Sequence, residues 1–229
     1  MDHSDHDLPA WRRRTEGENI AAVGVAIIVA IGLTLALPTR IANRPRWLLP
    51  GLAILLLIVL LLSLRNMRFD QPHRVLRTLG IILIAILSLA NGLSAGRLIV
   101  DILRGEGLGN KQHPAELLLV GGAIWLTNVI LFGIWYWGAD RGGAVQRMLA
   151  THEKPDFLFP QMQIDDRWAR DWEPEFVDYF YLSFTNATAF SPTDVMPLAR
   201  WAKLTMMAQS SISIMLVVLV VARAVNILQ

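Results

Sequence analysis

The sequence contains no cysteine, which excludes a disulfide framework, a thiol nucleophile and any cysteine metal site. Histidine is scarce, at five residues, and His73, His113 and His152 stand alone in loops. No Ser/His/Asp, metal-ligand or phosphate-loop spacing is present, so the chain is not expected to be an enzyme and calls for no cofactor. Strong net charge is missing as well. Twenty-one Lys and Arg against 19 Asp and Glu leave +2, and the arginines gather near the ends of apolar runs. That pattern suits a lipid surface and no nucleic-acid partner. Arg12-Arg13-Arg14 precedes an apolar run, yet no small-residue cleavage site follows, so the run reads as a retained helix rather than a signal peptide.

Apolar residues are what the chain has in quantity: 54% of it, with a mean hydropathy of +0.43. Five charge-free runs stand out: Ile20–Leu37, Trp47–Leu64, Thr78–Gly96, Leu117–Trp137 and Leu204–Ala222. A helix of about 20 apolar residues crosses roughly 30 Å of hydrocarbon, so each run is long enough to span. Backbone in lipid must satisfy its own hydrogen bonds, which makes helices the natural reading.

The polar segments between these runs are informative. Met1 to Asn19 reads as a mobile acidic tail in which His3, His6 and the nearby aspartates bind metal only adventitiously. Arg97 and Asp101 share a helix face at i, i+4 and can pair, while a snorkelling arginine is the simpler alternative. Gly92, Ala95 and Gly96 would let another helix approach closely, and Asn128 could hydrogen-bond Asn91 across helices. Ala139 to Glu173 is the one long polar connection. Its Asp156-Phe157-Leu158-Phe159-Pro160 turn and its tryptophans predict a folded surface hairpin or lid, not a sixth span. Asp165 to Asp194 holds seven acids and two bases, an acidic mouth that would concentrate cations.

The last quarter carries the most specific pattern. Pro174 suits the first turn of a helix, and Glu173, Glu175 and Asp178 complement its positive end. A helix over 174–185 has about three turns, too short to cross but fitted to a half-helix dipping into the bilayer. Tyr181-Leu182-Ser183-Phe184, then Thr188-Ala189-Phe190-Ser191-Pro192-Thr193-Asp194 and Pro197, resembles the pore segment of potassium channels. The resemblance implies a re-entrant pore helix, a constriction at Thr185, Thr188, Ala189, Phe190, Ser191, Pro192, Thr193 and Asp194, and a homo-oligomer, a tetramer by preference. The filter departs from that family. Ser191 and Thr193 occupy the two glycine positions, and Pro192 fixes its own φ and restricts Ser191. A ring of backbone carbonyls needs left-handed residues there, so hydroxyls and Asp194 would have to coordinate any permeant monovalent cation.

The final run places Thr205, Gln209 and Ser213 on one stripe, either lining a pore or bonding to other helices. A second resemblance covers most of the chain. Phe157–Pro160, Asp178–Thr185, Ala187–Asp194 and Ala222–Asn226 look like an uncharacterised bacterial family of small integral-membrane proteins, implying several membrane helices and no particular mechanism. Orientation stays open: the positive-inside rule puts Arg12–Arg14 and the arginines of 65–77 in the cytoplasm, opposite to the potassium-channel arrangement.

The expected protein is all-α and multi-pass in the bacterial inner membrane, with five transmembrane helices and a short re-entrant pore-type helix between helices 4 and 5. Its parts would be a polar tail over 1–19, a three-helix unit over 20–112 and a pore-like unit over 113–229. The expected function is a weakly selective, channel-like cation pathway; the alternative is a non-conducting membrane scaffold that keeps a pore-type fold.

Overall fold

A computed structural model of the chain describes residues 8–16, 18, 20–39, 41, 48–65, 74–107, 114–151, 154–164, 167–188 and 194–228. The described chain is mostly helical. Its helices are α1 (Ala21–Ala36), α2 (Leu48–Arg65), α3 (Arg74–Arg104), α4 (Pro114–Ala139), α5 (Ala144–Met148), α6 (Arg167–Arg170), α7 (Phe176–Thr188) and α8 (Arg200–Leu228). Proline marks two of the boundaries. Pro38 stops α1 because it has no N–H to give, and Pro114 opens α4 where a missing N–H costs nothing.

Among the described residues, three stretches are long and apolar enough to cross a membrane: Arg77–Arg104, Pro114–Gly142 and Arg200–Ile227. The run expected to form the first span yields a helix of 16 residues, shorter than those three. The second run forms the 18-residue α2, which packs on α3.

The chain divides into two compact units at points different from the expected boundaries near 20 and 113. One unit comprises Met1–Gly24 with Phe132–Ser210, the other Val25–Leu131 with Ser211–Gln229. Both α4 and α8 contribute residues to each unit, which is why cuts placed between apolar runs miss the division.

The unit of Val25–Leu131 and Ser211–Gln229 is held by an apolar core from three helices. Leu98 and Ile102 of α3, Leu117, Val120 and Ile124 of α4, and Leu216, Val220 and Ala224 of α8 bury against one another, with Leu37 and Ile41. A close helix contact falls at Gly121: a Cβ there would lie 2.8 Å from Val220 Cγ1. It does not fall at Gly92 and Gly96, which are exposed and have nothing within 4 Å of a Cβ position. The anticipated Arg97–Asp101 pair is also absent among the described residues. Arg97 instead donates to the Ile41 carbonyl at 3.3 Å, a backbone acceptor in the turn that follows α1. Asn128 finds Ser213 Oγ, at 3.2 Å, rather than Asn91.

The unit of Met1–Gly24 and Phe132–Ser210 is built on aromatic packing. Tyr136, Phe157, Phe159, Tyr179 and Leu182 bury with Val195, Ala202 and Met206. Edge-on and tilted ring contacts link Phe157 to Tyr136, Tyr179 and Trp201 at centroid distances of 5.2–6.4 Å. The long connection is folded, as expected, but among the described residues it forms no hairpin of its own. Phe157–Leu158 (β1) pairs antiparallel with Met196–Pro197 (β2), with Phe157 opposite Pro197. The Asp156 carbonyl accepts from Leu198 N–H at 2.8 Å and extends that tie.

A bulky side chain at Gly121 must displace Val220, whereas one at Gly96 meets open space. Gly121→Leu is therefore expected to destabilise the chain by about 1–3 kcal/mol, and Gly96→Leu to stay within about 0.5 kcal/mol. Unfolding midpoints in detergent check both.

Candidate functional site

The candidate site grows from α7, which has 13 residues and so a length of about 20 Å. Its first turn is capped by side chains on both sides. Asp178 Oδ2 accepts the Glu175 N–H at 2.9 Å, reaching back as the third-position acid of a capping box does. Glu18 Oε2, from the other end of the sequence, accepts the Phe176 N–H at 2.7 Å. Two carboxyls thus sit where the helix dipole favours negative charge. Further along, α7 lies close on α4: a Cβ at Gly133 would come within 3.2 Å of the Phe180 Cα.

The far half of α7 is fastened to α8 by one amide. Gln209 Oε1 accepts from Tyr136 O–H at 2.6 Å and from Asn186 Nδ2 at 2.7 Å. Its Nε2 donates to Ser183 Oγ at 2.6 Å and to the Ser183 carbonyl at 3.0 Å. All four hydrogen-bonding valences of the amide are filled, and the residue is fully buried. Asn186 completes the knot by donating to the Met206 carbonyl at 3.0 Å, while Ser210 Oγ donates to Asn186.

These contacts relocate the expected pore-lining stripe. Gln209 and Ser213 are buried within the chain, at 0 and 1% exposure, and are engaged there. Thr205 is half-buried and bonds back to the Trp201 carbonyl at 2.8 Å. Of the expected constriction, Thr185, Thr188 and Asp194 are described. Thr185 Oγ1 donates to the Tyr181 and Leu182 carbonyls, Thr188 Oγ1 donates to the Thr185 carbonyl at 2.9 Å, and Asp194 is exposed. Ala189, Phe190, Ser191, Pro192 and Thr193 lie outside the described residues, as do His3, His6, His73, His113 and His152.

A second constellation, absent from the reading of the sequence, sits where α4 ends. Asp140 is fully buried. Its Oδ2 accepts from Tyr179 O–H at 2.6 Å, and its Oδ1 accepts the Asp156 N–H at 2.9 Å and the Phe157 N–H at 3.4 Å. Arg141 follows it with φ of 49°, a left-handed conformation that an arginine adopts only under constraint. Its N–H donates to Asp156 Oδ2 at 2.8 Å, its guanidinium donates to the Trp11 carbonyl, and Trp201 Nε1 donates to the other Asp156 oxygen at 3.1 Å. Arg147 is buried over the rings of Tyr179 and Trp137, at 5.1 and 5.6 Å from the centroids. It donates to the Trp137 and Asp140 carbonyls and pairs with Glu18 at 3.1 Å. Burial raises the Glu18 carboxyl above its ordinary 4.5, against the lowering pull of Trp137, Arg147 and the Phe176 N–H. A buried charge costs several kcal/mol unless it is paired and hydrogen-bonded, so these partners are what permit four charged side chains here. The only trace of them in the sequence is a set of isolated acids and bases, which surface loops supply equally well.

No protein-family model, no curated protein and no solved structure matches the chain.

Gln209→Leu removes the acceptor of the Tyr136 hydroxyl and of an Asn186 N–H, so it is expected to cost about 1–3 kcal/mol; Thr205→Val, which removes only a local back-bond, is expected to cost less than about 0.5 kcal/mol. Chemical unfolding of purified protein in detergent reads both. Glu18 has a definite sign with pH. Its folded value lies above its unfolded one, so the folded chain holds the proton more tightly. The associated stability is full below about pH 4.5 and is lost as pH rises through the folded value. The stability difference between the wild type and Glu18→Gln is therefore expected to shrink from pH 4 to pH 7 (about those limits), as melting temperatures across that range would record.

Proposed function

We propose that the chain is a multi-pass protein of the bacterial inner membrane whose α4, α7 and α8 segments form a pore-type frame. In this reading α1 and α2 join the three long apolar helices as spans, giving five, and α7 enters the bilayer as a half-helix. Copies assemble around an axis, a tetramer by preference, because one short helix cannot encircle an ion. The passage is a weakly selective path for monovalent cations, with Asp194 raising the local cation concentration at its mouth.

The observation that carries this reading is the way α7 is held. It is too short to cross a bilayer, yet Gly133 gives it close contact with α4 and the Gln209 amide ties it to α8. Its other side exposes Val177, Tyr181 and Phe184. A short helix fixed on one side and apolar on the other is what a subunit of a ring requires. Any passage wall then comes from α8 residues left exposed by the single chain, Met207 and Ser211 among them.

The second reading, a non-conducting scaffold with the same frame, is favoured by the consumption of Gln209 and Ser213 inside the chain. That leaves α8 with little polar surface for wetting a pore.

Light scattering of the purified protein and cation flux into liposomes separate the two. The pore reading expects about four copies per particle, the geometry by which one loop per chain closes a ring. It also expects a monovalent-cation flux that falls about tenfold in Asp194→Ala and changes selectivity in Thr188→Val. A monomer or dimer without flux overturns it and leaves the scaffold.

A further inference from the structure

Residues 8–16 and Glu18 do not hang free. Trp11 is buried, with the Arg141 guanidinium donating to its carbonyl and lying 5.9 Å from its ring. Arg13 pairs with Asp171 at 3.1 Å, and the Thr15 hydroxyl donates to Glu173 at 2.9 Å. The Thr15 N–H donates to the Met148 carbonyl at 3.2 Å. Glu18 then joins three elements through one carboxyl: Arg147 of α5, Trp137 Nε1 of α4 and the Phe176 N–H that begins α7.

The anchors share a target. Asp171, Glu173 and Phe176 lead into and open α7, while Met148, Arg147, Arg141 and Trp137 frame the same place from α4, α5 and the turn between them. They are also of a releasable kind. Apart from buried Ala10 and the Trp11 indole, they are hydrogen bonds and ion pairs, which water can replace once the segment lifts away. Lifting it removes a carboxylate from the start of α7 and from the buried Arg147 together.

We propose that residues 8–16 with Glu18 form a regulatory strap that locks the first turn of α7, with Glu18 as its pin. Docked, it caps α7 and neutralises Arg147. Released, it leaves Arg147 Nη2 and the Phe176 N–H without that acceptor, and the half-helix is free to fray from its N-terminal end. This lock is a property of α7 itself and holds for a conducting or a non-conducting protein alike.

Hydrogen exchange followed by mass spectrometry on the full-length protein in detergent tests it. In Glu18→Ala, exchange over 171–182 is expected to quicken about tenfold, the loss of a helix cap read as local opening. Trp11→Ala is expected to shift the same peptides in the same direction, while 118–131 keeps its wild-type rate in both variants. Unchanged exchange over 171–182 in both variants overturns the strap, and so does a uniform rise that reaches 118–131. Should Glu18→Ala fail to fold, Glu18→Leu, which fills similar space but offers no acceptor, is judged by the same two criteria. The wild type adds its own check: 8–18 and 171–182 should open with one common constant, and clearly separate constants overturn the lock.

Discussion

A helix too short to cross a bilayer has to be fixed by something other than its length, and in this protein that task falls to the side chain of Gln209. Its carbonyl takes protons from Tyr136 and Asn186, and its amide nitrogen gives protons to Ser183, so α4, α7 and α8 meet at one group. In a poorly hydrated interior an amide left half-satisfied is costly, so the knot is stable only when complete. The aromatic core on either side, with Tyr136 and Tyr179 fully buried, shuts water away from it. The hydroxyls of Tyr136 and Ser183 are here structural glue.

The charged constellation at the end of α4 obeys the same logic with higher stakes. Asp140 and Glu18 are balanced by Arg141 and Arg147, and nearly every remaining valence is met by backbone, tyrosine or indole. The strand pairing of Phe157–Leu158 with Met196–Pro197 brings Asp156 to Arg141 and Trp201. An interior of this kind specifies one arrangement rather than many, because sliding any element leaves a bare charge.

Much of the helical framework was legible in the sequence. Apolar runs marked α3, α4 and α8, and Pro174 with its neighbouring acids marked a short helix whose observed start, Phe176, lies two residues on. The fate of polar side chains was not legible. Thr205, Gln209 and Ser213 recur every four residues whether they face water or a neighbouring helix, and spacing alone cannot tell the two apart. Arg97 went to a backbone carbonyl and not to Asp101 because the chain after α1 comes within reach, a tertiary fact without a local signature. Glu18 and Arg147 are 129 residues apart, and an acid and a base so separated carry no mark of partnership. Residues 8–16 and Glu18 of the tail that looked mobile are held through such distant pairs.

Arg141 stands in a twisted backbone position that glycine would occupy at ease, and the two residues after it, Gly142 and Gly143, are glycines with φ of 83° and 99°. The chain therefore reverses hand over three successive residues, with a side chain retained at just one of them. Glycine there would relax the main chain but surrender the guanidinium that grips Trp11, so comfort and grip compete at a single Cα. A position under such opposed demands leaves scant room for substitution at the corner after α4.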